Sequence, residues 1–529
     1  PSAIATLVAL AIGMAVIAVF YRLGALAILA NTAVAVEGSV LLFGYFGAQF
    51  GIGALVGFGL GAMVTAFGSM YYFHKVKQQL YEGRTLKKAH AEGTKKALWP
   101  TIDLSVVSII VGVFLYAFVH SSIGNLGLSL VLTSAVGLLL NLILLRMQGW
   151  LLANSPKSEK NIKAIYGVDT AKCPNALKDE KQVYFGRFAN KDFSKLKKPF
   201  MIGALALLVV AIAGVSVMSG LGRVYNYSGA YDDTTTLSVE YWVDSNSTAT
   251  KLLDKEAKMM SDFLPLIKHE GKSLSEYTSE ELITLETREV YLDDDETKYT
   301  VYCFQVPLTV YFNPEVEQKA LVVEGTNYST LAEAVSEAAA IMSAESIVAR
   351  ANNVRHQAGS PSLGSVYLGL GLGFLFAAIY MMVRFGLARG FATGLVSMGG
   401  SVITVGFFAL TRLAVTPLAS IGAVVASLAA TYIALLLLNR SKEIVKDSRE
   451  RDKTALEFKN QCLYKASGEE AEEVLIFASL LGAFCLSLLA LGPRQYSIIF
   501  LGAIFGLVVV TLAVLFVFVP VCQTLSVWL

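Results

Sequence analysis

Charge is scarce in this sequence. Only 16% of its 529 residues are Asp, Glu, Lys or Arg and 55% are hydrophobic, where a soluble globular domain carries about a quarter charged residues. That argues against a freely soluble enzyme, and the same apolar content excludes a disordered chain. Cysteine is scarce: Cys173, Cys303, Cys462, Cys485 and Cys522 lie far apart with no C-x-x-C pair. The five histidines are equally scattered, so neither a disulfide framework nor a metal site is indicated. No Gly-Lys-Ser/Thr follows any glycine-rich stretch, which excludes a phosphate loop. No Ser/His/Asp order or Cys/His pair supports nucleophilic catalysis, so the expectation is a protein that is not an enzyme, with no cofactor and no metal. The chain starts at Pro1 with no Met and no signal-type segment, and the expectation is that its true N-terminus lies upstream.

What is abundant is long apolar runs. A membrane span needs about 20 such residues, and eleven stretches qualify: 3–20, 25–47, 51–73, 98–119, 125–145, 200–219, 364–382, 390–410, 414–438, 474–491 and 497–520. Lysine and arginine divide unevenly between the alternating gaps. Arg22, residues 75–96, 146–198, Arg384 with Arg389, and 440–465 hold 30 of them, while the short gaps of the opposite set hold only Arg412 and Arg494. By the positive-inside rule this puts the C-terminus in the cytosol and residues 221–362 outside. The basic run 75–96 reads as an amphipathic helix lying along the inner leaflet, with Lys77, Arg84, Lys87, Lys88 and Lys95 touching anionic lipid. Positive charge set beside apolar spans is no nucleic-acid footprint.

Residues 221–362 contrast with the rest. They hold 23 Asp/Glu against 11 Lys/Arg, a net charge of −12 in a chain of net +2. Period-two alternation predicts strands at T-T-L-S-V-E-Y-W-V, R-E-V-Y-L and Y-T-V-Y-C-F-Q-V-P-L-T-V-Y-F, and helical spacing predicts helices over 249–269 and 331–350. The order β-α-β-β-α implies a small α+β sandwich with one sheet. The domain reading is 1–147 for a first transmembrane half, 148–198 for a basic cytosolic linker, 199–220 for a single span, 221–362 for the acidic extracytoplasmic α+β domain and 363–529 for the remaining spans. Y-R-L-G at 21–24 and V-R-F-G at 383–386 each precede a long basic stretch by about the same interval and are followed by a pair of spans. This is the pattern of two parallel repeats.

Six segments in order carry a resemblance. They are F-H-K-V-K-Q-Q-L-Y-E-G-R-T-L-K-K-A-H-A-E-G at 73–93, T-I-D-L-S-V-V-S-I-I at 101–110, D-F-S-K-L-K-K at 192–198, N-Y-S-G-A at 226–230, M-M-V-R-F-G at 381–386 and L-N-R-S-K-E at 438–443. Together they resemble the fused SecD/SecF family of protein-export translocon subunits, of the parallel-repeat RND-like superfamily. The resemblance implies twelve spans and two external domains, of which this divergent chain would lack the first span and the first external domain. It also implies a bacterial cytoplasmic membrane, a SecYEG-type channel with YidC/YajC-like subunits as partners, unfolded preprotein as client and membrane lipid as surroundings. Family members use proton entry to drive movements that draw preprotein out of the channel. The rival readings are a degenerate scaffold without proton coupling, and an RND-type exporter of lipid or small molecule.

Departures from the family pattern set the candidate residues. The positions where the family has its proton-carrying acids hold Phe67 and, beside Tyr432, Ile433, neither of which is an acid. The position of the family's arginine falls near Glu472 and Glu473. Two intramembrane acids remain as candidate proton-coupling groups, because a carboxylate at that depth costs several kcal/mol unless it is paired, hydrated or protonated, about 3 on insertion scales. Glu37 lies mid-span, and any coupling is expected to run through it, with Asp103 as companion. Asp103 aligns with a family Asp-x-Asn, and its alternative reading is a capping acid near the start of a span. Gly53, Gly57 and Gly61 form a small-residue stripe for close helix packing.

Overall fold

The computed structural model describes residues 12–13, 15–48, 50–119, 122–168, 188, 196–221, 224, 226–227, 234–244, 259–279, 283–292, 295–308, 312, 321–343, 347–357, 363–415, 417–448, 456–491 and 494–528. Contacts divide the chain into two compact units, residues 1–226 with 362–529, and Tyr227–Pro361.

The first unit is helical. Before the insert come α1 (Gly24–Tyr45), α2 (Ile52–Tyr81), α3 (Leu86–Phe118), α4 (Ser122–Leu142), α5 (Leu144–Asn154) and α6 (Lys197–Gly220). After α7 (Leu331–Met342), which belongs to the insert, come α8 (Leu363–Phe385), α9 (Leu387–Thr411), α10 (Ser420–Asp447), α11 (Leu456–Glu469), α12 (Ala471–Leu491) and α13 (Arg494–Ala513), the last continuing through a π turn to Trp528. Ten helices among the described residues are long and apolar enough to cross a membrane, matching ten of the eleven expected stretches. The eleventh, 3–20, lies largely outside the described residues.

The most enclosed spans are α2 and α10, with 78% and 100% of their apolar windows buried. They form the core of the two halves, and small residues let α2 approach its neighbours. A Cβ on Gly57 would overlap the Leu126 carbonyl of α4, and one on Gly61 would overlap Thr133. Gly53 is buried on the same helix. Polar side chains also join these spans. Asn31 of α1 donates to Asn141 Oδ1 of α4 at 2.6 Å and to Ser69 of α2 at 3.1 Å. In a water-free interior such groups must find one another, and doing so sets helix register.

The basic run 75–96 differs from expectation. It is the end of α2, a turn at 82–85 in which Gly83 takes φ +81°, and the start of α3. The apolar faces of these two ends pack on other helices, so no separate surface helix forms, and Lys75 is wholly buried.

The second unit contains two sheets rather than the one expected. We label its strands β1 (Thr234–Asp244), β2 (Ile267–His269), β3 (Lys272–Ser273), β4 (Thr284–Leu292), β5 (Asp295–Leu308), β6 (Leu321–Val323), β7 (Thr326–Tyr328) and β8 (Ile347–Gln357). The larger sheet has the order β4-β5-β1-β8 and the smaller the order β3-β2-β6-β7, with every pairing antiparallel. Alternation puts Leu237, Val239, Tyr241 and Val243 of β1 into the core beside Phe304 and Val306 of β5, as period-two patterning requires.

Both helices expected in this unit are shorter than their helical spacing suggested. Of 249–269, the residues before 259 lie outside the described set, and the end is a strand, because Ile267 pairs with Val323 far along the chain. Helix α7 starts at a capping box in which Thr330 and Glu333 satisfy each other's backbone amides. It stops at Met342, since Ile347–Arg350 already pair with β1.

Candidate functional site

Asp103 lies well inside the continuous helix α3, and it is fully buried. The capping reading of this residue is therefore wrong, because α3 begins at Leu86. Its partners come from the other half of the bundle. Tyr380 of α8 donates to Asp103 Oδ1 at 2.6 Å, Arg384 Nε reaches the same oxygen at 3.3 Å, and Asn439 Nδ2 of α10 donates to Oδ2 at 3.0 Å. Tyr380 and Arg384 are one turn apart and so share a face. Trp99, one turn before Asp103, stacks under the Arg384 guanidinium at 4.4 Å. A buried carboxylate is tolerable only when its lone pairs are bonded and its charge is countered. Here both conditions are met by residues that follow the insert. Asp103 is thus a polar joint between the two halves, and protonating it would remove the charge that holds Arg384.

A larger network joins the ends of α2 and α3 to α10, α11 and α12. Lys75 Nζ donates to Glu443 Oε2 at 3.0 Å and to Glu470 Oε1 at 3.2 Å. Arg440 contacts Glu443 at 2.7 Å and Glu469 at 2.8 Å, and Lys96 contacts Glu443 at 2.8 Å and Asp447 at 3.0 Å. His74 Nδ1 is paired with Glu473. The fixed cations Lys75, Lys96 and Arg440 therefore face three buried carboxylates, Glu469, Glu470 and Glu473, and the half-buried Glu443, and His74 can supply a fourth positive charge when protonated.

Burial pushes the Glu469 carboxyl above its ordinary range, against the pull of Arg440. A carboxyl whose folded pKa is raised contributes stability that is complete below its unfolded value and lost as pH rises through the folded value. Glu469→Gln should therefore flatten the fall in thermal midpoint as pH rises above the ordinary carboxylate range. A variant whose midpoint falls as steeply as the parent's would refute this assignment.

The positions of the family's acids are sealed by apolar side chains. The Phe67 ring packs edge-on against Phe477 at 5.0 Å, and Ile433 is fully buried. Tyr432 stands 6.0 Å from the same Phe477, and its hydroxyl bonds Ser108 at 2.7 Å. Glu37 occupies a different place. It lines a largely apolar groove of about 440 Å³ with Ile17, Thr32, Phe58, Met63 and Phe484. Glu37 and Asp103 therefore line separate sites. Sequence reasoning singled out Asp103 but missed Tyr380, Arg384 and Asn439 as its partners, and it missed the Lys75 network. The available signal was the set of charged residues crowding span ends, Lys75, Arg440, Glu469, Glu470 and Glu473.

No family model and no curated protein matches the chain. Solved structures do. The chain is similar to SecDF in a super-membrane-facing form, at 14% identity and a TM-score of 0.65. It is also similar to SecDF, a translocon-associated membrane protein from Thermus thermophilus, at 16% identity and a TM-score of 0.60. Both likenesses cover 99% of this chain but 61% of the other, so the chain spans about three fifths of the length of these structures. The chain is a polytopic helical membrane protein with an inserted α+β domain and a SecDF-like fold.

Proposed function

We propose that this protein is an accessory subunit of the Sec protein-export translocon, working by conformational change and not as an enzyme. The observation that carries the proposal is the SecDF-like fold extending over 99% of the chain. Two polar joints between its halves support it, Asp103 with Arg384 and Lys75 with Glu443 and Glu470. Such joints have discrete arrangements, so two parallel repeats can rock between states without losing their packing. In this reading residues 221–362 lie outside a bacterial cytoplasmic membrane and the C-terminus lies in the cytosol, as the lysine and arginine bias indicates. The partners are a SecYEG-type channel and YidC/YajC-like subunits, and the client is unfolded preprotein. The acidity of the external domain attracts cationic segments at long range and holds them weakly.

One observation favours the scaffold reading. The aromatic seal at Phe67 and Phe477 leaves no titratable side chain at the positions where the resemblance implies proton carriers. The decisive experiment isolates the full chain from gently solubilised membranes and crosslinks it through a photoreactive residue at Thr287, exposed on β4. The expected result is recovery of the channel together with crosslinks to chains caught in export. Recovery of channel without client crosslinks supports the scaffold, and recovery of neither supports an exporter of lipid or small molecule.

A further inference from the structure

A second cavity, lined by cations, lies beside the Asp103 joint, where α8 turns into α9. It measures about 520 Å³ and is lined by Arg384, Arg389, Lys442 and Lys459 together with Phe385 and Leu456. Four cations around one cavity repel each other unless something negative answers them. Among the described residues, the carboxylate within ion-pair distance of any of the four is Asp103, which bonds Arg384 alone among them. It also accepts from Tyr380 and Asn439.

The donors on these cations are only partly used. Arg384 gives Nε to Asp103, Lys442 gives one of its three protons to the Arg384 carbonyl at 3.2 Å, and Arg389 Nη2 reaches the Lys459 carbonyl at 3.4 Å. The turn adds backbone donors. Gly386 takes φ +100°, a conformation open to glycine and strained for other residues. It starts α9 so that Leu387, Ala388 and Arg389, whose amides have no partner one turn back in the helix, line the same cavity. Guanidinium forks and first-turn amides are the groups that recognise phosphate oxygens.

We propose that this cavity binds a phosphate-bearing anion, either the headgroup of an anionic membrane lipid or free phosphate. Phe385, Val445 and Leu456 form an apolar wall beside the cations. Because Arg384 serves both the cavity and Asp103, an occupant would compete for the arginine that joins the halves.

The test measures the thermal midpoint of the purified full chain against increasing short-chain phosphatidylglycerol, short-chain phosphatidylcholine or inorganic phosphate. The proposal expects phosphatidylglycerol to raise the midpoint and phosphatidylcholine, which carries no net negative charge, to do so far less. A matching response to inorganic phosphate identifies free phosphate as the source, and its absence identifies the lipid headgroup. The double variant R389Q/K459Q should raise the half-saturating concentration by about tenfold or more, the loss of at least one strong contact. K157Q/K160Q removes the same charge from exposed positions just after α5 and should leave it unchanged. Should R389Q/K459Q fold poorly, K459Q alone, read by native mass spectrometry for retained phosphatidylglycerol, takes its place. The proposal is overturned if no ligand shifts the parent, if phosphatidylcholine matches phosphatidylglycerol, or if the variants lose no more than K157Q/K160Q.

Discussion

Lys75→Met should be the most destabilising single substitution in the helical unit, at about 3–5 kcal/mol. The lysine is completely buried between Glu443 and Glu470, and Glu470 is itself only 1% exposed. Removing one partner from a buried pair leaves a charge that has already lost its water. After the change Arg440, 3.9 Å away, would be the remaining ion-pair contact for Glu470 among the described residues. The apolar thioether fills the space but answers no charge. The readout is the midpoint of denaturant or thermal unfolding in detergent, together with the yield of monodisperse protein. Pairing Lys75→Met with Glu470→Gln should restore part of the loss, because the stranded carboxylate then carries no charge. The coupling between the two sites should exceed about 1 kcal/mol, as contacting residues show. A Lys75→Met protein within about 0.5 kcal/mol of the parent would mean that the network contributes little.

The second large effect concerns function. Under the proposed export role, in vesicles containing a Sec-type channel, Asp103→Asn should lower proton-gradient-dependent export by about tenfold or more, the scale of one lost charge-assisted contact. Asparagine keeps the size and one acceptor, yet it can neither take up a proton nor counter Arg384. Arg384→Gln should produce a similar loss, and the double variant should be no worse than either, since both act on one joint. Phe67→Ala should leave the gradient dependence intact, because that ring packs on Phe477 and carries no proton. Glu37→Gln separates the remaining alternatives. Its carboxyl lines an apolar groove away from the Asp103 joint, so the substitution should matter less than Asp103→Asn. If Glu37→Gln abolishes the gradient dependence while Asp103→Asn does not, the coupling group is Glu37. If export responds to neither change yet fails when residues 227–361 are deleted, the protein is a scaffold.

The parts of this molecule that could be read directly from its residues are those governed by local averages. Ten spans follow from runs of apolar residues, because a bilayer asks each segment only to be long and uncharged. The inserted unit stood out by its surplus of acid, and β1 and β5 by alternation that places one face of each strand in a core. The packing role of Gly57 and Gly61 was visible in their spacing, since residues four apart share a helical face.

What tertiary structure decided is partnership. Asp103 finds Tyr380, Arg384 and Asn439 at separations of 277, 281 and 336 residues, and Lys75 finds Glu470 at 395. No periodicity within a single helix records such a pairing. A charge near a span end looks the same in sequence whether it faces lipid headgroups, as the run 75–96 was expected to, or a buried carboxylate, as Lys75 does. The same limit explains Ile267–His269. Its three residues satisfy a helical spacing, yet they form a strand because Leu321–Val323 offers them backbone partners. Local pattern sets which face of an element is apolar, and long-range pairing of buried charges and backbone groups, each costly to leave unmet, sets what that face meets.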